Sequence, residues 1–271
     1  MRRLQQPSRT CRSAGGFTLA ELTVVLVIVA LLFASAFVPL STQLEVRNIT
    51  DTRKQIEDIK EALIGFALSQ GRLPCPADPT IASGSANAGI ERAACSGNTL
   101  TGVVPWATLG LREGDAWGRR FTYRVTETFA DSIAASTHGC TPAPNPLPTM
   151  SSYALCTEGD MTVNTRDTTS KLTSVIANKV PAVIISHGRN GYGASQPTAV
   201  YMPDPPATNA DEATNKTAGT IDFISRDRTD DSTGCSDTLA TGTPLCEFDD
   251  IVAWVPLTTL IARTAAAGKL P

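Results

Sequence analysis

One carboxylate, Glu21, stands inside the run Phe17 to Val38 (FTLAELTVVLVIVALLFASAFV), which carries no other charge. As a helix this run would rise about 33 Å, enough to span the hydrocarbon core of a bilayer. A carboxylate at that depth costs about 2.5–3.5 kcal/mol on insertion scales and calls for a cation at the same level. The bland alternative is a glutamate one turn in from the membrane edge that snorkels to water. Arg2, Arg3, Arg9 and Arg12 precede the run and none lies within it. That asymmetry keeps the N-terminus cytoplasmic and sends everything after the run, from about residue 39 on, across the membrane.

Cysteines are the second chemical resource. Of the seven, Cys11 lies among the leading arginines, which leaves Cys75, Cys95, Cys140, Cys156, Cys235 and Cys246 on the translocated side. None forms a Cys-x-x-Cys pair, and only His138 and His187 could join them as zinc ligands, so zinc-finger spacing is absent. Oxidation to three disulfides is the expectation for that compartment. Fifteen pairings stay open; the simplest joins each cysteine to its nearest neighbour in sequence.

Nothing points to catalysis. The chain has no Gly-x-Ser-x-Gly elbow, Walker loop, His-Glu-x-x-His or Gly-x-Gly-x-x-Gly. Ser186 and His187 adjoin in sequence, which does not by itself make a nucleophile and base, and His187 is read as structural. Trp106, Trp117 and Trp254 border predicted strands and are read as core anchors. With 42% hydrophobic and 18% charged residues the chain is foldable, as one generous domain or two small ones. Without the four leading arginines the rest carries 19 basic and 26 acidic residues, a poor balance for nucleic-acid binding.

An ordinary secretory signal would be cut after Ala34-Ser35-Ala36. The junction Gly15-Gly16-Phe17-Thr18-Leu19-Ala20-Glu21-Leu22 instead resembles the prepilin cleavage and methylation motif of type IV pilins and type II secretion pseudopilins. The resemblance implies that prepilin peptidase removes a leader, 1–16, leaving Gly16 before the cut and Phe17 as an N-methylated terminus. Glu21 becomes the fifth mature residue, paired with the Phe17 ammonium of a neighbouring subunit. The implied function is that of a structural subunit of a type IV pilus-like or type II secretion pseudopilus fibre. Such a subunit sits in the bacterial inner membrane with its head in the periplasm, and its partners are other pilin or pseudopilin subunits. The alternative is a minor or tip pilin that adheres through long head loops, although Glu21 favours a subunit with a neighbour above it.

These residues need elements to position them. Beyond Pro39, a proline expected to kink or open the helix, Ile49, Ile56, Ile59, Leu63 and Phe66 form an apolar stripe up to Gln70. Arg53 with Glu57 and Lys54 with Asp58 have i,i+4 spacing, and Gly71 and Pro74 supply a stop. The predicted organisation is a leader at 1–16, a long helix at 17–70 with a membrane segment at 17–38, and a head at 71–271. Within the head, strands are predicted at 121–126, 153–156, 182–186 and 251–255, and a last helix at 257–267. Residues 141–150 and 203–220 read as loops. The fold class is α+β, a long N-terminal helix packed on an antiparallel sheet.

Three further fragments are similar to the major pseudopilin: Gly114-Asp115-Ala116-Trp117-Gly118 before Phe121 and Tyr123, Ser186-His187-Gly188-Arg189-Asn190-Gly191, and Asp249-Asp250-Ile251 before Trp254. The long insert 194–248 departs from that compact pattern. In the pseudopilin a calcium ion ties down the loop before the last Asp, which makes Asp249 and Asp250 candidate ligands, with Asp227, Asp230, Asp231 or Asp237 nearby in sequence. No EF-hand spacing exists, and Cys235 and Cys246 could fix the same loop covalently. Solvated acids on a polar loop are the favoured reading.

Overall fold

A computed structural model describes residues 16, 18–133, 138–144, 148–238 and 242–270, with backbone alone over 33–41. It divides between Arg47 and Asn48 into two compact units. Helix α1 (Leu19–Gln70) is assigned without interruption through Pro39. In the first unit Leu19, Leu22, Val24 to Val29, Leu31 and Leu32 are exposed. Among the described residues no helix is long and apolar enough to cross a membrane. The expected span at 17–38 includes Phe17 and the side chains of 33–38, which lie outside the described set.

In the second unit α1 buries Thr52, Ile56, Ile59, Leu63, Ile64 and Ala67, whose three- and four-residue spacing makes one face of a helix. That face meets a four-stranded sheet of order β1-β2-β5-β7, formed by β1 (Thr101–Val103), β2 (Thr122–Val125), β5 (Ala182–Ser186) and β7 (Ile251–Val255). All its pairings are antiparallel. Short helices α2 (Trp106–Leu109) and α3 (Glu127–Ala130) flank β2 in sequence, and α5 (Leu257–Ala266) follows β7. Tyr123, Val125, Ala182, Ile184 and Val255 share a core with the buried face of α1 and with Leu260 of α5. Val183 and Ile185 turn the other way, into a second core with Met161, Val163, Val180 and Phe223. Strand β5 is therefore buried on both faces, which is why Ala182–Ser186 reads as an almost unbroken apolar run instead of an alternation.

The second core belongs to a second sheet of order β4-β3-β6, made of β3 (Met161–Arg166), β4 (Thr173–Val180) and β6 (Asp222–Ile224). Here β3 pairs antiparallel with β4 and parallel with β6, so the head is not the one antiparallel sheet that was expected. Residues 153–156 do not form a strand either. Tyr153 makes only an isolated bridge to His138, while Ser152 donates to the Gly71 carbonyl and Ala154 donates to Thr157 Oγ1 (2.8 Å). Side-chain hydroxyls there take the bonds a ladder would need. The loop expected at 203–220 contains helix α4 (Ala210–Lys216). Neither i,i+4 ion pair forms; Glu57 is held by Lys60 at 3.0 Å.

Candidate functional site

At the start of α1, the Thr18 amide and hydroxyl donate to Glu21 Oε2 at 2.8 and 2.9 Å, and the Glu21 amide donates to Thr18 Oγ1 at 3.2 Å. This is a capping box, which satisfies backbone donors that the first helical turn leaves without partners. The Thr-x-x-Glu spacing is the sequence signal for this box, a role of Glu21 distinct from both the intersubunit charge pair and the snorkelling glutamate. Gly16 is exposed; Phe17, like the leader before Gly16, lies outside the described residues.

The three head fragments, far apart in sequence, meet in space. Buried Asp115 accepts from the amides of Trp117 and Arg119, both at 3.0 Å, and from the hydroxyl of Ser186 at 2.6 Å. Burial raises its pKa against the pull of these donors. Arg119 donates to the carbonyl oxygens of Gly188 and Arg189, which joins the first fragment to the second. The second joins the third because the Asn190 amide donates to Asp249 Oδ2 at 2.9 Å. Gly188 has φ +54°, and a Cβ there would stand 2.3 Å from the Asp249 carbonyl oxygen, so the turn needs glycine.

Asp249 and Asp250 are buried, not solvated as expected, and the third carboxylate beside them is Glu212 from the first turn of α4. Oxygens of all three lie within 4.8 Å of one another. None of the acids considered as further ligands joins them: Asp227, Asp230 and Asp231 are exposed, and Asp237 accepts from Arg226 and from the Cys246 amide. Asn190 Nδ2 donates to both Glu212 oxygens (2.9 and 3.1 Å), Asn209 Nδ2 to Oε2 (2.8 Å) and the Asp249 amide to Oε1 (3.1 Å). Asn215 Nδ2 donates to Asp250 Oδ2 at 2.8 Å. Even so, Asp249 Oδ1 and Asp250 Oδ1 are buried and have no hydrogen-bond partner. Burial, and then the Asp250 charge, pushes Glu212 up to about 8. Asp249 is pushed up to about 6, mainly by burial.

His187 is fully buried: Nε2 lies 2.9 Å from Thr122 Oγ1, and Nδ1 lies 3.4 Å from Asp250 Oδ1. Three clustered carboxylates, two of which (Asp249 and Asp250) each keep one buried oxygen without a hydrogen-bond partner, suit a hard cation such as calcium, which prefers oxygen ligands.

The scaffold under Glu212 is charged and covalent. Arg226 donates to Asp211 of α4 at 2.7 Å and lies 4.4 Å from the centre of the Phe248 ring, while Arg166 of β3 donates to the other Asp211 oxygen at 2.8 Å. The disulfides join Cys75 to Cys95, Cys140 to Cys156 and Cys235 to Cys246, each cysteine to its nearest neighbour. The last closes the loop that supplies Asp237 and leads to Asp249.

No curated protein and no solved structure gave a match to the chain. Residues 11–37 match the family model described as "Prokaryotic N-terminal methylation motif". That segment includes Gly16, Phe17 and Glu21, and through it the chain carries the signature of type IV pilin-like and pseudopilin proteins.

Proposed function

We propose that the protein is a structural subunit of a type IV pilus-like or type II secretion pseudopilus fibre. Prepilin peptidase cuts it between Gly16 and Phe17 and methylates the new terminus. The observation that carries this reading is the methylation motif at residues 11–37. The bare apolar flank of α1 supports it. Full burial of such a side chain from water is worth about 1.5–3 kcal/mol, and each of the ten large side chains from Leu19 to Leu32, already partly covered, gains a share of that when covered. The inner membrane covers them before assembly, with residues 17–38 as the span, and neighbouring subunits cover them afterwards. Glu21 then exchanges part of its contact with Thr18 for the Phe17 ammonium of a neighbour. The head, on the periplasmic side, takes a calcium ion on Glu212, Asp249 and Asp250, where the cation neutralises buried charge and pins α4 beside β7.

A second reading, a minor or tip pilin that binds through its head, is favoured by one observation. The second sheet ends on β4, whose neighbourhood exposes Leu172, Val175 and Ile176. One experiment addresses both readings. Mass spectrometry of membrane-derived protein is expected to show a chain beginning at N-methylated Phe17, and immunogold labelling to decorate fibres along their length. A terminus at Phe37 would sink the fibre reading in favour of an ordinary signal peptide, and label confined to fibre ends would favour the tip subunit.

A further inference from the structure

Strand β7 is the last in its sheet and pairs only with β5, so its outer edge is open among the described residues. Between that edge and α1 runs a groove of about 350 Å³, lined by Arg53, Lys54, Ile56 and Glu57 on the helix and by Ile251, Val252 and Ala253 on the strand. Glu57 is taken by Lys60. Arg53 and Lys54 form no ion pair among the described residues, which leaves the groove cationic beside a row of unpaired backbone groups.

The complementary charge is elsewhere on the same head. The loop Asp227–Asp231 is net acidic: its three aspartates Asp227, Asp230 and Asp231 are exposed and form no ion pair among the described residues, and its one cation is Arg228. The loop is held in shape at its centre, where Thr229 and Phe248 exchange backbone bonds of 3.1 and 3.0 Å and the Thr229 hydroxyl donates to the Cys246 carbonyl. No ion pair joins loop and groove within one copy among the described residues.

We propose that the acidic loop Asp227–Asp231 of one copy docks in the groove between α1 and the edge of β7 on a neighbouring copy, its aspartates facing Arg53 and Lys54. The inference rests on the fibre reading and names a contact within it. The contact is heterologous, since loop and groove are different surfaces, and such a contact propagates along a fibre instead of closing a dimer. Opposed charges of this kind chiefly set register and partner choice.

The test uses two full-length copies with different tags, co-expressed. One carries Lys54→Arg. The other carries Asp227→Asn, Asp230→Asn and Asp231→Asn. Carbodiimide, which links amines to carboxylates with no spacer, can then couple Lys54 to the loop only across copies. The expected result is a linked peptide joining Lys54 to residues 227–231 in isolated fibres. If both tags sediment together in fibres and that peptide is absent, the contact is wrong while the fibre reading stands. If the unsubstituted protein itself never sediments in fibres, the fibre reading fails and takes the contact with it.

A charge swap gives a second readout. The pair Asp230→Lys and Asp231→Lys should lower fibre yield about tenfold with an unchanged melting temperature. Adding Arg53→Glu and Lys54→Glu to the same chain should restore the yield, and no restoration would overturn the docking.

Discussion

Calcium added to the full-length protein in detergent should raise its melting temperature at pH 8 and scarcely at pH 5, because protons and the cation compete for the same carboxylates. Without metal the native state keeps Glu212 protonated up to about 8 and Asp249 up to about 6, well above their ordinary values of 4.5 and 3.8. The folded chain thus binds more protons than the unfolded chain across that window. The stabilisation is full below the ordinary values and is lost as pH rises through about 6 and then about 8. In chelator, the melting temperature should accordingly fall between pH 5 and pH 8.

Calcium reverses this trend. Between about pH 6 and 8 it displaces one proton, from Glu212, so its affinity should drop about tenfold for each unit of acidification. Below about pH 6 the Asp249 proton must leave as well, and the drop steepens toward a hundredfold. At a hundred times the dissociation constant the ion adds about 2.7 kcal/mol, which for a domain of this size is roughly 5–10 °C. Scanning calorimetry in chelator and in millimolar calcium, at both pH values, reads all of this. No calcium shift at pH 8, or an equal shift at pH 5, would refute the assignment of the three carboxylates as a cation site.

Glu21→Ala should leave the head folded by circular dichroism while cutting incorporation into sheared fibres severalfold; normal incorporation would mean that no intersubunit charge pair is needed. Gly188→Ala, which forces a Cβ toward the Asp249 carbonyl at positive φ, should destabilise the head by about 1–3 kcal/mol in denaturant titration and blunt the calcium response. An unchanged midpoint would show that the turn relaxes freely. Non-reducing peptide mapping of exported protein should recover Cys75–Cys95, Cys140–Cys156 and Cys235–Cys246, and free thiols at several of these positions would contradict the oxidised head.

The parts of the fold legible in the sequence are those where periodicity and burial coincide. The face of α1 between Ile56 and Ala67, the alternation around Tyr123 and Val125, and the apolar runs of β5 and β7 all announce themselves. Strand β4 does not, because most of its residues are exposed and Thr, Ser and Asn dilute any alternation. Strands β1 and β6 are three residues each, too short to carry a period. Helix α4 hides in an insert rich in Ala, Thr and Asn, and only the Asn209-x-x-Glu212 spacing, a capping signal, betrays it. Two of the three carboxylates of the candidate cation site, Asp249 and Asp250, could be read from the sequence. Glu212 could not, since it lies 37 residues before Asp249 and only the packing of α4 brings it there.

The three disulfides span 20, 16 and 11 residues, and none encloses another. If the chain is exported N-terminus first, as the proposed function has it, each partner would emerge soon after the first cysteine of its pair, before the next pair. Oxidation can follow export in sequence order, with little opportunity for mispairing that an isomerase must undo. On the proposed export route the crosslinks would form in the order of synthesis, and a head arrested partway through the membrane would already carry its finished bonds. A cysteine mutation then strands one thiol in its own neighbourhood and leaves the other two loops closed.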